Sequence, residues 1–483
     1  MADSAVPSHG TAHAFADYHA RQREGLVVAN RRGVLKAGLA GLAGLSLPGL
    51  LRMRAQAAQS HQPMPTGKSV ILLWMAGGPS QIDTWDPKPD RPLENRGPFS
   101  TISTKLPGVA ICEHLPKQAA MLDKFTILRS VHALKSNHEP NKVLQTGNLA
   151  AAPRINPRGD MYPAIGSIVA KHHGPNHTGV PPYAAFMKSR SHVAYAGYLG
   201  QQYDPFIADR GSKLPIYTNV GVDTGKMTDA DLFRLPSGVT HDRVHNRMSL
   251  LKQLDGLQRN LDPTLGAMDA YQQQALEMVL GGRVREALDI NKEPEKSRER
   301  YGSHLWCQQA LLARRMVEAG VAFVTLDLSY HTASGTWDNH GDNIPPYGGI
   351  SKGLKPLLPL FDHLITTLVS DLEERGMLDD VLIVAMGEFG RTPQMGTQGS
   401  TDGRNHWPHV MSMCLAGGGM RHGQVIGASD KFGGHVSDRL ITPGDLAATM
   451  YHHMGIPLHT TYLDTSGRPT MIVTDGEPLA ELI

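Results

Sequence analysis

The residues best equipped for chemistry lie between Val381 and Gly419. A short apolar run, Val381 to Met386, has the length and composition of a buried strand. It delivers Gly387-Glu388-Phe389-Gly390-Arg391, a carboxylate and a guanidinium set among glycines. A polar Gly/Thr/Ser/Gln loop then brings Asn405-His406-Trp407-Pro408 ahead of a second apolar run, His409 to Ala416. Carboxylate and imidazole together suit a borderline divalent cation, and a guanidinium suits an anionic oxygen. Ligands of open α/β sheets sit beyond the strand ends, which is where Glu388, Arg391 and His406 are expected. A solvated Glu and a packed loop His are the plainer alternative. The gathering of these groups in one strand–loop–strand unit favours a site.

Other segments carry groups of the same kind. Val321 to Leu328 alternates as a strand and leads to Trp337-Asp338-Asn339-His340. Asp338 and His340 are two apart, so in extended chain their side chains share a face, and the pair suits zinc or manganese. Asp342 and Asn343 are plausible supporting groups, whereas His331 reads as incidental. Ser69 to Met75 reads as a buried strand closed by Ala76-Gly77-Gly78-Pro79-Ser80, and Asp83 and Asp86 follow it. Each of these two carboxylates is either a metal ligand or a turn former. Phe125 to Val131 reads as a further strand, after which a helix is expected near Glu139, with Ser136 or Asn137 as cap and Pro140 in its first turn. A helix start attracts anions, so Ser136 and Asn137 are candidates for a catalytic position as well as for capping. His132 and His138 lie beside them.

The elements that must position these groups follow from periodicity. Leu357, Phe361, Leu364, Ile365, Leu368 and Leu372 mark a helix over Leu354 to Glu374, with Gly376 placed to stop it. The order strand, site, helix, strand, site is a βαβ unit, so Val321–Leu328 and Val381–Met386 are expected to be parallel and adjacent or nearly so. Ser303 to Ala319 reads as a helix ended by Gly320, within a helical stretch from about 240 to 318. Residues 150–225 are rich in Pro, Gly, Tyr and Asn and read as long loops, in which Gly197-Tyr198-Leu199-Gly200 borders a cleft or packs a loop. A hairpin is expected after Gly419 and a short helix around Asp445 to Met454.

The 483 residues leave room for one large domain or two, and 40% apolar with 19% charged residues is ordinary for a folded protein in water. A net charge of +2 speaks against a nucleic-acid surface or an anionic-membrane surface. Cys112, Cys307 and Cys414 are far apart, which excludes a disulfide framework and a thiolate zinc site. Asn30-Arg31-Arg32-Gly33-Val34-Leu35-Lys36, the mild apolar run Ala37 to Leu51 and Ala55-Gln56-Ala57 read as a twin-arginine signal over residues 1–57. The expectation is a periplasmic or secreted protein with no membrane span, whose residues 58–483 form the working domain with a helical insertion at about 226–320.

Gly77-Gly78-Pro79-Ser80 with Asp83, Asn137-His138-Glu139, Gly197-Tyr198-Leu199-Gly200, Trp337-Asp338-Asn339-His340, Gly387-Glu388-Phe389-Gly390-Arg391-Thr392-Pro393 and Gly403-Arg404-Asn405-His406-Trp407 together resemble the family called domain of unknown function 1501. That family looks like a branch of the alkaline phosphatase/sulfatase superfamily. The resemblance implies an α/β fold, a doubly wound, mostly parallel sheet of alkaline phosphatase-like kind with a helical insertion. It implies one or two divalent ions held by Asp338, His340, Glu388 and His406; the residue types favour zinc or manganese over calcium, and the place of Asp83 after the first strand makes it the further ligand expected. Ser136 or Asn137 would stand nearest the nucleophile position. The implied substrate is a small-molecule or polysaccharide ester of phosphate or sulfate, and the alternative is an exported binding or structural protein that keeps the fold without the chemistry. The chain lacks the superfamily's Cys/Ser-x-Pro-x-Arg motif, and Glu388 is followed by Phe389 rather than His.

Overall fold

The computed structural model describes residues 66–134, 140–152, 161–186, 192–208, 211–213, 225–227, 278, 282–329, 336–341 and 348–483. The signal-like residues 1–57, Ser136, Asn137, His138, His331, Asp342 and Asn343 lie outside that set. Eight strands form the main sheet: β1 Ser69–Trp74, β2 Phe125–Val131, β3 Tyr183–Ala185, β4 Phe206–Ile207, β5 Phe323–Asp327, β6 Val381–Met386, β7 Met411–Gly417 and β8 Gln424–Ile426. Their spatial order is β8-β2-β7-β6-β1-β5-β3-β4.

Strand β1 is buried along its whole length because both faces of the sheet are covered. Ile71, Leu73 and Met75 join one core, whereas Val70, Leu72 and Trp74 join the other. On the first side lie α5 Leu305–Ala319 and α6 Lys355–Glu374 with α3 Arg283–Leu288, packed through residues such as Leu312, Leu364 and Val284. On the second lie α1 Pro140–Thr146, α2 Ile165–His173 and α7 Pro443–Met454, through residues such as Val143, Ile168 and Met450. Between α3 and α5 comes α4 Glu295–Tyr301. This is a doubly wound α/β arrangement. No helix among the described residues is long and apolar enough to cross a membrane.

The periodic helix forms as its pattern requires. Leu357, Phe361, Leu364, Ile365, Leu368 and Leu372 of α6 are all buried, and Gly376 follows with a φ of +68°. Each such side chain contributes roughly 1.5–3 kcal/mol by leaving water. A π-helical turn, Gly349–Leu354, leads into it. Strands β5 and β6 both pair parallel to β1, which lies between them, so the expected parallel pair is nearly adjacent.

One strand direction was left open by the sequence, and two expectations need correction. Strand β7 runs antiparallel to β6 and to β2, so it enters the sheet at the edge where its parallel neighbours leave. His406, which precedes β7, therefore reaches the site from the opposite direction. The stretch expected to be loops, 150–225, contains α2 and the two sheet strands β3 and β4. Helix α2 was hidden by its short apolar patch, Ile165 to Ala170, set between Pro/Gly-rich segments. Lastly, Gln424–Ile426 joins the main sheet beside β2, and the hairpin after it pairs Ala428–Ser429 with Val436–Asp438.

Candidate metal centre

Strands β1, β5 and β6 are parallel, so their carboxyl ends share one edge of the sheet. The chain keeps pairing beyond those ends. Met75 N–H donates to Met386 O at 2.9 Å, and Trp337 N–H donates to Ala76 O at 3.0 Å. The loop after β1 then presses against Asp338. Gly77 has a φ of +113°, and a Cβ there would sit 2.3 Å from the Asp338 nitrogen, so only glycine fits.

His406 is set by a two-residue ribbon in which Gly390–Arg391 pairs antiparallel with His406–Trp407. Arg391 and His406 are direct cross-strand partners. That pairing brings the guanidinium and the imidazole together on Asp338. One carboxylate oxygen, Asp338 Oδ1, is 2.6 Å from Arg391 Nη2, 3.0 Å from His340 Nε2 and 3.2 Å from His406 Nε2. The Asp338 side chain is 1% exposed, against 14% for His340 and 11% for His406. The carboxylate is thus enclosed while the imidazoles face the opening. The His340 and His406 rings lie 4.5 Å apart, and Phe389 covers the other side of His406 at 4.3 Å.

Ligand atoms of Asp338, His340 and His406 lie within 4.8 Å of one another. Two imidazole nitrogens and a carboxylate oxygen at this spacing need a proton or a cation between them. Zinc ligands at about 2.0–2.2 Å from the ion are themselves separated by about 3.3 Å in tetrahedral geometry, close to the 3.0 and 3.2 Å between Asp338 Oδ1 and the two imidazole nitrogens. Nitrogen donors also favour zinc or manganese over calcium, which takes oxygen ligands.

The other candidates have different company. Asp83 has an ion-pair partner outside the three converging residues: its Oδ2 accepts from Arg404 Nε at 2.7 Å and from Ser80 Oγ at 2.5 Å, and both charged side chains are fully buried. Asp86 is held by Lys88 at 3.0 Å and by the Ser429 hydroxyl. Glu388 is buried beside the centre but is not among the three converging residues; its Oε1 accepts from Gly77 N–H at 2.8 Å. Arg391 is fully buried and donates to the carbonyl oxygens of Gly77, Gly78 and Arg404 as well as to Asp338. It clamps the β1 loop to Asp338 rather than facing an incoming anion. His132 lies apart, its Nδ1 accepting from Leu134 N–H at 2.9 Å and its ring near that of His409.

Arg404 escaped the sequence reading as a structural residue. It sits in the Gly403-Arg404-Asn405-His406 run, but its partner Asp83 is 321 residues away and no local signal joins them. A second buried polar trio was also missed. Asp327 Oδ2, at the end of β5, accepts from Ser329 Oγ at 2.7 Å and lies 2.9 Å from His192 Nδ1. The apolar run around Asp327 masked it as an ordinary strand residue.

Fold and site together define an α/β protein with an Asp/His/His centre at the carboxyl edge of its sheet. The chain belongs to the DUF1501 family, described as a protein of unknown function, which it matches over residues 67–483. No curated protein matches it by sequence. Among solved structures it is similar to PsFucS1 sulfatase from Pseudoalteromonas sp., with 14% identity, 84% of this chain and 70% of that chain covered, and a TM-score of 0.37. It is similar to the lipoteichoic acid synthase LtaP from Listeria monocytogenes, with 12% identity, 85% and 75% coverage and a TM-score of 0.35. The C-terminal periplasmic domain of EcEptC from Escherichia coli, in complex with Zn, is similar at 9% identity, 87% and 92% coverage and a TM-score of 0.33.

Proposed function

We propose that this protein is an exported, metal-dependent hydrolase of phosphate or sulfate esters. The observation that carries the reading is the convergence of Asp338, His340 and His406 at the sheet's carboxyl edge. A divalent ion held there by Asp338 Oδ1 and the two Nε2 atoms would act as a Lewis acid toward the ester oxygen. Arg391 orients Asp338 through its 2.6 Å contact, and Phe389 packs against the His406 ring. Glu388 ties the β1 loop to the centre through Gly77 N–H. In the overall reaction water adds across the ester: its oxygen bonds to phosphorus or sulfur, the bond to the alcohol oxygen breaks, and a proton passes to that oxygen. Ser136, with Asn137 beside it, is the candidate for a hydroxyl that attacks first. Arg31-Arg32 and Ala55-Gln56-Ala57 support export of the folded chain, and exchanging both arginines for lysine should leave the precursor inside the cell.

A second reading has its own support. Asp83 Oδ2 pairs with Arg404, Glu388 Oε1 accepts from Gly77 N–H, and neither carboxylate is among the three residues that converge. On that reading the protein binds one metal and performs no hydrolysis. Metal-loaded protein tested on phosphate monoesters, phosphate diesters and sulfate esters separates the two. Turnover of any one class that disappears in His340→Ala supports the hydrolase. Metal without turnover on the whole panel transfers the case to the binding protein.

A further inference from the structure

A cavity of about 600 Å³ lies between the Gly197-Tyr198-Leu199-Gly200 turn and the hairpin that pairs Thr461–Leu463 with Pro469–Met471. None of its lining residues belongs to the Asp338 centre. The walls are Tyr162 and Tyr198 on one side, with Asp464, Thr465, Arg468 and Thr470 on the other. Both walls are fixed before any ligand arrives. Gly197 has a φ of +53°, and a Cβ there would sit 2.1 Å from Met161 O, so the turn is pressed onto the Met161–Tyr162 segment. Opposite, the Asp464 carboxylate accepts from the backbone N–H groups of Ser466 and Arg468 at 2.8 and 3.0 Å, and from Arg468 Nε and Nη2 at 3.1 and 3.0 Å. The tip of the hairpin is therefore held by its own side chains.

The lining selects a class of ligand by elimination. Its one guanidinium is already neutralised by Asp464, which disfavours a phosphate-rich ligand. Apart from Met161 and Pro469 it offers no aliphatic wall for a lipid or a hydrophobic amine. Two phenol rings, three hydroxyl side chains and a planar carboxylate–guanidinium pair remain. The volume is in the range of small-molecule sites. Rings take the apolar C–H face of a sugar, and the planar pair and hydroxyls both donate to and accept from its hydroxyl groups. Burial, then the nearby Asp464 and Tyr162, push the Tyr198 phenol up to about 12, so it stays protonated as donor and acceptor.

We propose that this pocket binds a saccharide unit. Combined with the ester-hydrolase reading, on which this extension rests, the sugar belongs to the glycan that carries the ester. The test is affinity electrophoresis of the mature protein in gels containing dextran, mannan, xylan, alginate or carrageenan, with metal content measured on the same preparation. At least one polysaccharide should retard the wild type. Arg468→Ala, at a side chain 75% exposed, and Thr465→Trp, which fills the cavity from an exposed position, should each weaken retardation by about tenfold, the size expected for losing a charged hydrogen bond or the cavity itself. Both variants should keep the wild-type melting temperature. No retardation by any of the five polymers, or equal retardation of wild type and variants, overturns the pocket. Metal-loaded protein that is not retarded refutes the pocket alone, and retarded protein that takes up no metal refutes the Asp338 centre alone.

Discussion

Two buried carboxylates, Asp83 and Asp338, come after parallel strands at one edge of the sheet, and each touches a fully buried arginine. Their remaining partners differ. Arg404 spends its other donors on the carbonyl oxygens of Asn95, Thr392 and Pro393, so the arginine of the Asp83 pair is held by backbone. Asp338 instead shares one oxygen between Arg391 and two partly exposed imidazoles. Arginine cannot give up its proton, whereas an imidazole can exchange it for a metal ion. The same carboxylate chemistry is thus an ion pair in one place and, in the proposed function, a metal ligand in the other.

The comparison breaks most visibly if Asp83 is removed. Asp83→Ala leaves Arg404 buried and unpaired, which should cost about 3–5 kcal/mol, measured as a loss of urea stability. The folded fraction should still bind metal as the wild type does. A drop in metal stoichiometry would show that Asp83 serves the centre after all. The double variant Asp83→Leu with Arg404→Met, which removes both charges, should regain most of the lost stability.

A buried imidazole bound to a carbonyl oxygen sharpens the contrast. His453 on α7 is buried, its Nε2 lies 3.0 Å from Ser69 O, and burial lowers its pKa from 6.5 to about 4. The unfolded chain therefore binds more protons between pH 6.5 and 4. The contribution is fully present above pH 6.5 and is lost as pH falls toward 4, to the extent of about 3 kcal/mol. Urea midpoints at pH 7.5 and 4.5 should differ less in His453→Gln than in the wild type. An equal difference in both would assign the acid sensitivity to other groups.

The smallest expected effect lies at the loop that presses on Asp338. Gly77→Ala places a methyl group 2.3 Å from the Asp338 nitrogen at a φ of +113° and should cost about 1–3 kcal/mol. Metal affinity should fall more than stability, because the shift is delivered to Asp338. Unchanged affinity would detach the loop from the centre.

Much of this architecture was readable because it is local. The six-residue apolar run of β6 and the heptad-like spacing in α6 announce buried elements, whereas Asp338 and His340 meet through a turn in which His340 N–H donates to Asp338 O, not through extended chain. What was not readable depends on partners distant in sequence. Nothing near Asp83 announces Arg404, and nothing in the apolar run of β7 states that it lies antiparallel to β6. Arg391 illustrates the same limit. Its position just after Gly390 suggested a group open to an anion, but the fold wraps it in carbonyl oxygens of Gly77, Gly78 and Arg404.

The most direct test of the account is metal content per chain, measured by elemental analysis of the purified mature protein after it is offered zinc or manganese and dialysed. The wild type should retain a stoichiometric ion, and His340→Ala with His406→Ala should retain none while keeping the wild-type melting temperature of the metal-free protein. Wild-type protein that holds no ion after either metal, or a double variant that holds as much as the wild type, would contradict the assignment of Asp338, His340 and His406 as a metal centre.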